Sequence, residues 1–244
     1  MKKKLSVALL AIYSVFIAGL GFHVTGAFFT DSSNSTTNAF TAAATFPTAT
    51  PTPTGTPPTG IATHVVISEV QINGTNANQD FVELYNPTGS SIIITGWKLR
   101  VRNSAGTEDS LAVLPTASIS AHGFYLWSNN QSGFNTSIGA DTSNTNNISP
   151  NNSIALLTNL DSIVDQVAWG SSTNPFIEGS AVTLDFTSGG SIERKALSSS
   201  DATSMTSGAD VSKGNGFDSD NNATDFILRT TAQPQNSTSG TEQP

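Results

Sequence analysis

A strict alternation of apolar and basic side chains over residues 97–102 (WKLRVR) constrains the fold more than any other feature. Successive side chains of a β-strand point to opposite faces, so this segment has one apolar face, beginning at Trp97, and one basic face. The pattern is typical of an antiparallel sheet with one buried and one solvated side. We therefore predict a β-domain organised around residues 65–101, with Trp97 sealed between two sheets.

The composition favours an extracellular β-protein and excludes cysteine chemistry. Charged residues make up 11% of the 244 residues, and Ser, Thr, Asn and Gly supply polarity that suits turns. The chain contains no cysteine, which excludes disulfides, thiolate nucleophiles and thiolate metal sites. The net charge is −8 and no run of Lys or Arg follows residue 4, so a non-specific nucleic-acid binder is disfavoured.

Short apolar runs separated by Gly, Asn and Pro predict many strands and no helix of consequence. Such a series indicates a sandwich or a barrel. Residues 134–152 are expected to form a long surface loop, and the tail after Ser237 is expected to be disordered. The predicted strands are 65–72, 80–86, 91–95, 97–102, 111–114, 124–128, 153–158, 163–169, 181–186 and 191–194.

The N-terminal part carries an export signal and a stalk. Residues 1–27 have a basic start, an apolar run and small residues before Phe28, as in a cleaved secretory signal; an uncleaved membrane anchor is the alternative. Residues 28–44 form an exported segment, and the Pro/Thr-rich linker 45–63 is expected to be extended and semi-rigid. The β-sandwich is predicted over 64–237. The last segment, 238–244, is the predicted disordered tail.

Residues 26–43 resemble the region around the cleavage site of camelysin- and TasA-type exported proteins. The resemblance implies processing by a dedicated SipW-type signal peptidase and a bacterial cell-surface or matrix destination. The matching residues are Ala27, Phe28, Phe29, Thr30, Asp31, Asn38, Phe40 and Ala42.

The β-domain itself resembles the lamin-tail domain of bacterial exported proteins. The motifs VVISEV (65–70), FVELYNP (81–87), Gly-Trp-x-Leu from residue 96 and Ser-x-Glu-Arg from residue 191 occur in the family's order. The resemblance runs from about residue 64 to 235 and implies an all-β, immunoglobulin-like antiparallel β-sandwich. The family-motif residues include Glu69, Glu83, Asn86, Pro87, Gly96, Trp97, Asp165, Glu193 and Arg194.

Glu69 and Glu83 are candidates for paired-carboxylate chemistry, because adjacent strands can bring them together. The structural alternatives are that they pair with the basic residues of 97–102 or accept hydrogen bonds from backbone amides. We predict one of these structural roles and no catalytic residues.

Four oxygen-bearing side chains near the C-terminus are candidate Ca²⁺ ligands, since their spacing begins like an EF-hand loop. The glycine and the final glutamate of such a loop are missing, so a cluster of Asx turns is the alternative. No other cofactor is expected. The four candidates are Asp218, Asp220, Asn222 and Asp225.

Histidine and tryptophan offer few further sites. His23, His64 and His122 are isolated in sequence, so neither a zinc site nor a serine triad is expected. Trp127 and Trp169 are candidate sugar-stacking residues.

The sequence supports three functional hypotheses. The first is an exported, non-enzymatic binding or scaffold module that displays a lamin-tail-like sandwich on a Pro/Thr stalk, with an envelope or matrix protein or glycan as partner. The second is a carbohydrate- or matrix-binding accessory domain. The third is a metal-dependent hydrolase that uses the acidic residues. Membrane contact is expected only through an uncleaved N-terminal segment. Eukaryotic lamin-tail domains bind DNA and chromatin partners, but the acidic charge argues against nucleic acid here.

Overall fold

The computed structural model describes residues 59–183 and 188–244. The predicted signal segment, the exported segment and most of the linker (1–58) lie outside these residues, as do 184–187 of the predicted strand 181–186. Within the described ranges, no helix has the length and apolar character needed to cross a membrane.

The described chain is built from twelve short strands and three short helices, so the predicted β class is confirmed. The helices are α1 (Phe134–Ser137), which follows a 3₁₀ turn at Gln131–Gly133, α2 (Ala202–Ser207) and α3 (Asn222–Asp225). The strands are β1 (Val66–Gln71), β2 (Phe81–Tyr85), β3 (Ile92–Ile93), β4 (Lys98–Arg102), β5 (Glu108–Val113), β6 (Ser118–Ile119), β7 (Phe124–Asn129), β8 (Thr142–Asn144), β9 (Ser153–Leu157), β10 (Ile163–Ala168), β11 (Ser191–Arg194) and β12 (Phe226–Arg229).

The strands form two main sheets and a small ribbon. Sheet I has six strands in the order β12-β11-β1-β2-β7-β8, and sheet II has four in the order β10-β9-β4-β5. Strands β3 and β6 form the two-stranded ribbon. All pairs are antiparallel except β7 and β8, which are parallel. Strand β1 therefore pairs with β2 on one side and with β11, more than a hundred residues later, on the other.

The apolar sides of both sheets pack on each other to form the main core. Sheet II supplies Leu99 and Val101 from β4, as their alternation with basic residues predicts. Sheet I supplies Ile67 and Val70 from β1 and Trp127 from β7. The fold is thus a β-sandwich with one principal core.

Trp97 lies less deeply than predicted. It is half-buried at the rim of the core, where it precedes β4. The backbone turns sharply there, because Gly96 adopts a φ of +74° and the Trp97 amide donates to Ile94 O at 3.0 Å. This turn lifts the indole to the edge of the sandwich, so the prediction of a sealed Trp97 is wrong.

The predicted loop 134–152 is more ordered than its composition indicates. It contains α1 and the parallel strand β8, and it buries Phe134 and Ile148. Strand β8 is polar (TSN) and carries no apolar alternation, so the sequence pattern could not reveal it. Strands β6 and β12 were also missed; β6 has two residues and β12 four.

Both predicted boundaries of the sandwich need correction. On the N-terminal side, Ile61 forms a β-bridge with Phe217 and the Ala62 amide donates to Gly216 O, so the end of the predicted linker belongs to the domain. At the C-terminus, the Glu242 amide donates to His122 O at 2.9 Å. Because that amide and its neighbours have partners in the sandwich, the predicted disordered tail is instead packed against it.

Candidate functional site

Three glutamates form a row across the outer face of sheet I. In the register of the sheet Glu69 on β1 lies opposite Glu83 on β2 and opposite Glu193 on β11. A β-bulge at Ser68 turns Glu69 away from the core, although Ile67, two residues earlier, faces it. Glu69 and Glu83 are each 2% exposed. Adjacent like charges of this kind are costly in a sheet, so the row needs compensating contacts.

The C-terminal segment 232–243, here called the strap, supplies much of that compensation. The Gln233 amide donates to Glu69 Oε1 at 3.2 Å, and the Gln235 amide donates to Glu83 Oε2 at 2.6 Å. The strap is fixed further along by Glu242, whose carbonyl accepts the Tyr85 hydroxyl. The strap thus lies across the outer face of sheet I and covers Glu69 and Glu83.

Side chains of the sheet complete the bonding of the row. The Ser68 hydroxyl donates to Glu83 Oε1 at 2.6 Å, and the Ser191 hydroxyl donates to Glu69. Glu193 accepts from Arg229 and, at 2.7 Å, from Asn215 Nδ2. Every glutamate of the row therefore has at least two hydrogen-bond donors.

Burial under the strap changes the ionisation of the row. It raises the pKa of Glu69 to about 8, helped by the charge of Glu193 and opposed by Ser191, Gln233 and Arg229. Burial also raises the pKa of Glu83 well above its usual value, helped by the charge of Glu69. The pKa of Glu193 is raised by burial, although Arg229 lowers it. Glu69 therefore holds a proton at neutral pH, and the pKa values of Glu83 and Glu193 shift in the same direction.

The basic residues of β4 are not the partners of these glutamates. Lys98, Arg100 and Arg102 lie on the outer face of sheet II, where Lys98 Nζ meets Asp161 Oδ1 at 2.6 Å and Arg102 Nη2 meets Glu108 Oε2 at 3.1 Å. Of the two structural alternatives, amide bonding is the one found for Glu69 and Glu83.

A buried arginine joins the two sheets. Arg194 on β11 is completely buried, and its Nη2 donates to both carboxylate oxygens of Asp165 on β10 at 2.9 Å. Its Nε donates to Ile67 O at 3.0 Å, and its Nη1 lies 3.3 Å from Asp218 Oδ1. The guanidinium also stacks 4.7 Å from the ring centroid of Phe226. One side chain thus ties together three distant segments.

The carboxylates around Arg194 favour its charged form. Burial would lower the pKa of Arg194, but the carboxylates of Asp165, Asp218, Glu178 and Asp225 raise it above its usual value. Burial raises the pKa of Asp165 against the opposing effects of Arg194 and the Ile67 amide. Arg194 therefore stays charged, and the carboxylates that face it stabilise this buried charge.

The acidic motif, residues 218–225, lies beside Arg194 and contributes Asp218 and Asp225 to its surroundings. Asp225 accepts hydrogen bonds from the Ser219 amide at 3.0 Å, the Ser219 hydroxyl at 2.6 Å and the Asn221 amide at 3.2 Å. Asp218 faces Arg194 and lies 3.6 Å from His64 Nε2. These are the contacts of an Asx-type turn cluster.

Asn222 completes the edge of sheet II. Its Oδ1 accepts the amides of Ala168 at 3.1 Å and Glu178 at 3.2 Å, and its Nδ2 donates to Gln166 O at 2.9 Å. The side chain thus bonds to β10 as a neighbouring strand would, and it protects an edge.

The candidate Ca²⁺ ligands therefore have other partners, and Asp220 is exposed. Within the described ranges no group of three or more His, Cys, Asp or Glu side chains could hold a metal ion. Calcium binding stays a prediction. A calorimetric titration without heat on adding Ca²⁺ would contradict it.

Other motif residues shape turns. Asn86 Nδ2 donates to Ser90 O at 2.8 Å and to Ser120 O at 2.9 Å, and its Oδ1 accepts the Thr88 amide. Pro87 follows directly and packs beside Gly216. The motif around Asn86 therefore stabilises the end of β2.

The candidate sugar-stacking role of Trp127 and Trp169 is contradicted by their burial. Trp127 is 1% exposed and Trp169 is 2% exposed, and both belong to the main core. An indole that is buried between two sheets has no face for a sugar. Neither strand alternation nor composition distinguished these positions from surface ones.

An open polar groove lies at one edge of sheet II, and sequence reasoning missed it. It has a volume of about 310 Å³. Most of its lining residues carry amide or hydroxyl groups, and the two apolar ones belong to the main core. The available signal was the Asn/Ser-rich composition of 144–152, which predicted only a loop. We call it the amide groove; its lining is Val101, Asn103, Asp109, Ser110, Leu111, Asn146, Asn147, Ser149 and Asn152.

Comparison with known protein families identifies one family that matches the first part of the sandwich. Residues 59–171 match the lamin tail domain family. The match covers β1 to β10 and a little under half of the chain. The lamin tail domain is an immunoglobulin-like β-sandwich, so the predicted fold class is confirmed, and it is in general a non-catalytic binding or scaffold module. No curated protein matches the chain.

The lamin tail match ends before several motif residues that the fold requires. Glu193 and Arg194 lie beyond residue 171, yet β11 pairs directly with β1. The match also begins at residue 59, which agrees with the bridge that Ile61 makes in the structure.

Proposed function

We propose that this protein is an exported, non-enzymatic binding or scaffold module of a bacterial cell surface or matrix. In this proposal the lamin-tail-like sandwich is carried on the Pro/Thr stalk, and the N-terminal segment is processed by a SipW-type signal peptidase. The apolar run within 1–27 and the resemblance of 26–43 to camelysin- and TasA-type proteins support export.

The proposal rests on the internal hydrogen bonds and ion pairs that the motif carboxylates make. Glu69 and Glu83 are covered by the strap and bonded to its amides, and Asp165 is bonded to Arg194. A general acid or base needs access to a substrate proton, and these buried groups have internal partners in its place. The same carboxylates stabilise the sandwich, as expected of a domain that presents a surface.

A carbohydrate- or matrix-binding role is the second candidate, and the amide groove favours it. The groove presents side-chain amides and hydroxyls to solvent, which are the groups that bind neutral polar ligands. This role differs from the first only in the chemistry of the partner.

Two measurements test the proposal. Protease treatment of intact producing cells should cleave the sandwich, and fractionation should recover the chain outside the cytoplasm. The purified exported chain should then bind isolated cell envelopes saturably, and excess unlabelled chain should compete. Heat-unfolded chain is the control for non-specific adsorption. A chain that stays in the cytoplasm, or adsorption equal to that control, would refute the proposal.

A further inference from the structure

We propose that the amide groove binds an uncharged, polyhydroxylated ligand, a sugar unit of a polysaccharide. The inference rests on the second candidate function and names its site and its ligand class. Asn147 and Asn152 present the amides that carry it, and Asp109 adds a carboxylate. Asn103 contributes only its Nδ2, because its Oδ1 accepts the Ala105 and Thr107 amides.

The chemistry of the lining selects for hydroxyl groups. A side-chain amide offers two donors and an acceptor, and a sugar hydroxyl also donates and accepts. Asp109 is the one formally charged residue of the lining, so an anionic ligand would meet no cation there. A neutral polyol matches this set of donors and acceptors best.

Asn152 is the strongest single indication of a ligand. It is 95% buried, since only 5% of its surface is exposed, and it lines the groove. Its backbone carbonyl accepts the Trp169 amide at 3.4 Å. Its side chain makes no hydrogen bond to another described residue, and its polar atoms are not among those sealed from solvent in the described chain. The amide therefore stays open to the groove, where a ligand hydroxyl can replace water as its partner.

The wall of the groove is held rigidly. Asn146 Nδ2 donates to Leu111 O at 2.8 Å and to Ser110 O at 3.0 Å. Behind it, the Ile148 amide donates to the buried Asp80 at 2.9 Å, and Asn129 Nδ2 donates to Asn146 O at 2.8 Å. A wall that is ordered before binding loses little freedom when a ligand enters.

The size of the groove suits a single ring. Its volume of about 310 Å³ lies at the small end of the usual range for ligand sites. Val101 and Leu111 line the groove but are buried in the main core, so polar side chains supply most of the accessible lining. The lining has no aromatic residue, so we expect a weak affinity per site, with a Kd on the order of 1 mM.

The test is a binding titration of the full exported chain. Glucose, galactose, mannose, N-acetylglucosamine and their short oligomers serve as probes, followed by NMR chemical-shift changes and by calorimetry. We expect saturable binding of at least one probe. Asn147→Ala and Asn152→Leu should each weaken it about tenfold or more. Asn135→Ala on α1, a half-exposed asparagine outside the groove, is the matched control and should bind as the parent does.

The outcomes separate this inference from the function on which it rests. Asn147 is exposed, so its variant should keep the parent melting temperature even if Asn152→Leu loses stability. Failure of every probe to bind would overturn the ligand class, and equal binding by Asn147→Ala and the parent would overturn the site. If the variants lose sugar binding while envelope binding persists, the module function stands and a surface other than the groove carries it.

Discussion

At the scale of single residues, Arg194 links more of the molecule than any other side chain discussed above. It contacts Asp165 on sheet II and Ile67 O on sheet I, and it faces Asp218 near the C-terminus. A buried charge of this kind is costly alone, and its partners are equally costly without it. The centre therefore acts as one unit.

Replacing Arg194 should test that unit. Arg194→Met leaves Asp165 buried without its counter-charge and should lower the free energy of unfolding by about 3–5 kcal/mol. Urea denaturation measures the loss. Arg100→Met is the matched control, because Arg100 is partly exposed and lies 3.8 Å from Glu108, and it should cost at most about 1 kcal/mol. Adding Asp165→Asn to Arg194→Met should recover part of the loss; full additivity would contradict the model of one coupled unit.

The glutamate row should make stability fall as pH rises. The folded pKa of Glu69 is about 8 and its usual value is 4.5, so between these values the folded state holds a proton that the unfolded state has lost. Its stabilising contribution is complete below about pH 4.5 and is lost towards pH 8. Glu83 and Glu193 act in the same direction.

Glu69→Gln should reduce this dependence, because glutamine stays neutral and can still accept the Gln233 and Ser191 hydrogen bonds. The variant should match the parent near pH 4.5 and exceed it by more than about 1 kcal/mol at pH 8. Urea midpoints from pH 4.5 to 8.5 measure this. Glu108→Gln, on the exposed face of sheet II, is the control. Parallel curves for Glu69→Gln and the parent would contradict the prediction.

The sequence predicted the positions of some of these residues better than those of others. Reading the motifs as adjacent strands indicated that Glu69 and Glu83 could meet, and they lie directly opposite each other. The bulge at Ser68, which decides which face they share, has no signal in the alternation of residues 65–72. The burial of Trp127 could not be predicted either, because a strand pattern does not distinguish an aromatic residue on a buried face from one on an exposed face.

At the scale of elements, the strap explains why sheet I is buried on both faces. Every residue of β1, β2 and β7 is buried, with the core on one side and outer clusters or the strap on the other. The strap is irregular and polar; its hydrogen bonds hold it to the sheet, and Ala232 packs against the cluster of Phe81, Leu126 and Phe134. Composition therefore predicted disorder where the fold requires order.

Removing the strap should uncover the glutamates. Deleting residues 233–244 removes the amide donors of Gln233 and Gln235 and the contact of Tyr85 with Glu242. Stability should fall by about 2–5 kcal/mol, at roughly 1 kcal/mol for each hydrogen bond lost. Urea denaturation measures the fall.

The same deletion should change the ionisation of the row. Water reaching Glu69 and Glu83 would bring their pKa values down towards 4.5, which NMR of the carboxyl carbons can follow. Thr241→Ala, at an exposed strap position, is the control and should leave both properties unchanged. A deletion with parent-like stability would show that the strap is not part of the folded unit.

At the scale of the whole molecule, the folding unit is longer than the region that the lamin tail family matches. The match ends at residue 171, whereas β11 pairs with β1 and the acidic motif closes the Arg194 centre. Apart from β6 and β8, the strand pattern predicted the strands up to β10, because most of these alternate or are strongly apolar. The rest depends on pairings between distant segments, which a local pattern does not encode.

Truncation should distinguish the matched region from the folding unit. A chain that ends at residue 171 lacks β11, one of the two partners of β1, and the counter-charge of Asp165. It should show no cooperative thermal unfolding by circular dichroism. A chain that ends at residue 232 keeps all twelve described strands and should still unfold cooperatively. A native-like melt of the shorter chain would place the folding unit within the matched region.

The position of β11 also sets the order of events during biosynthesis. Strand β1 emerges first from the ribosome but waits for a neighbour 120 residues downstream, since Gln71 aligns with Ser191 and Glu69 with Glu193. Until that neighbour arrives, one long edge of β1 stays unpaired and the sandwich cannot close. Until β11 has been synthesised, the chain would therefore suit a secretion channel that accepts only unfolded polypeptide.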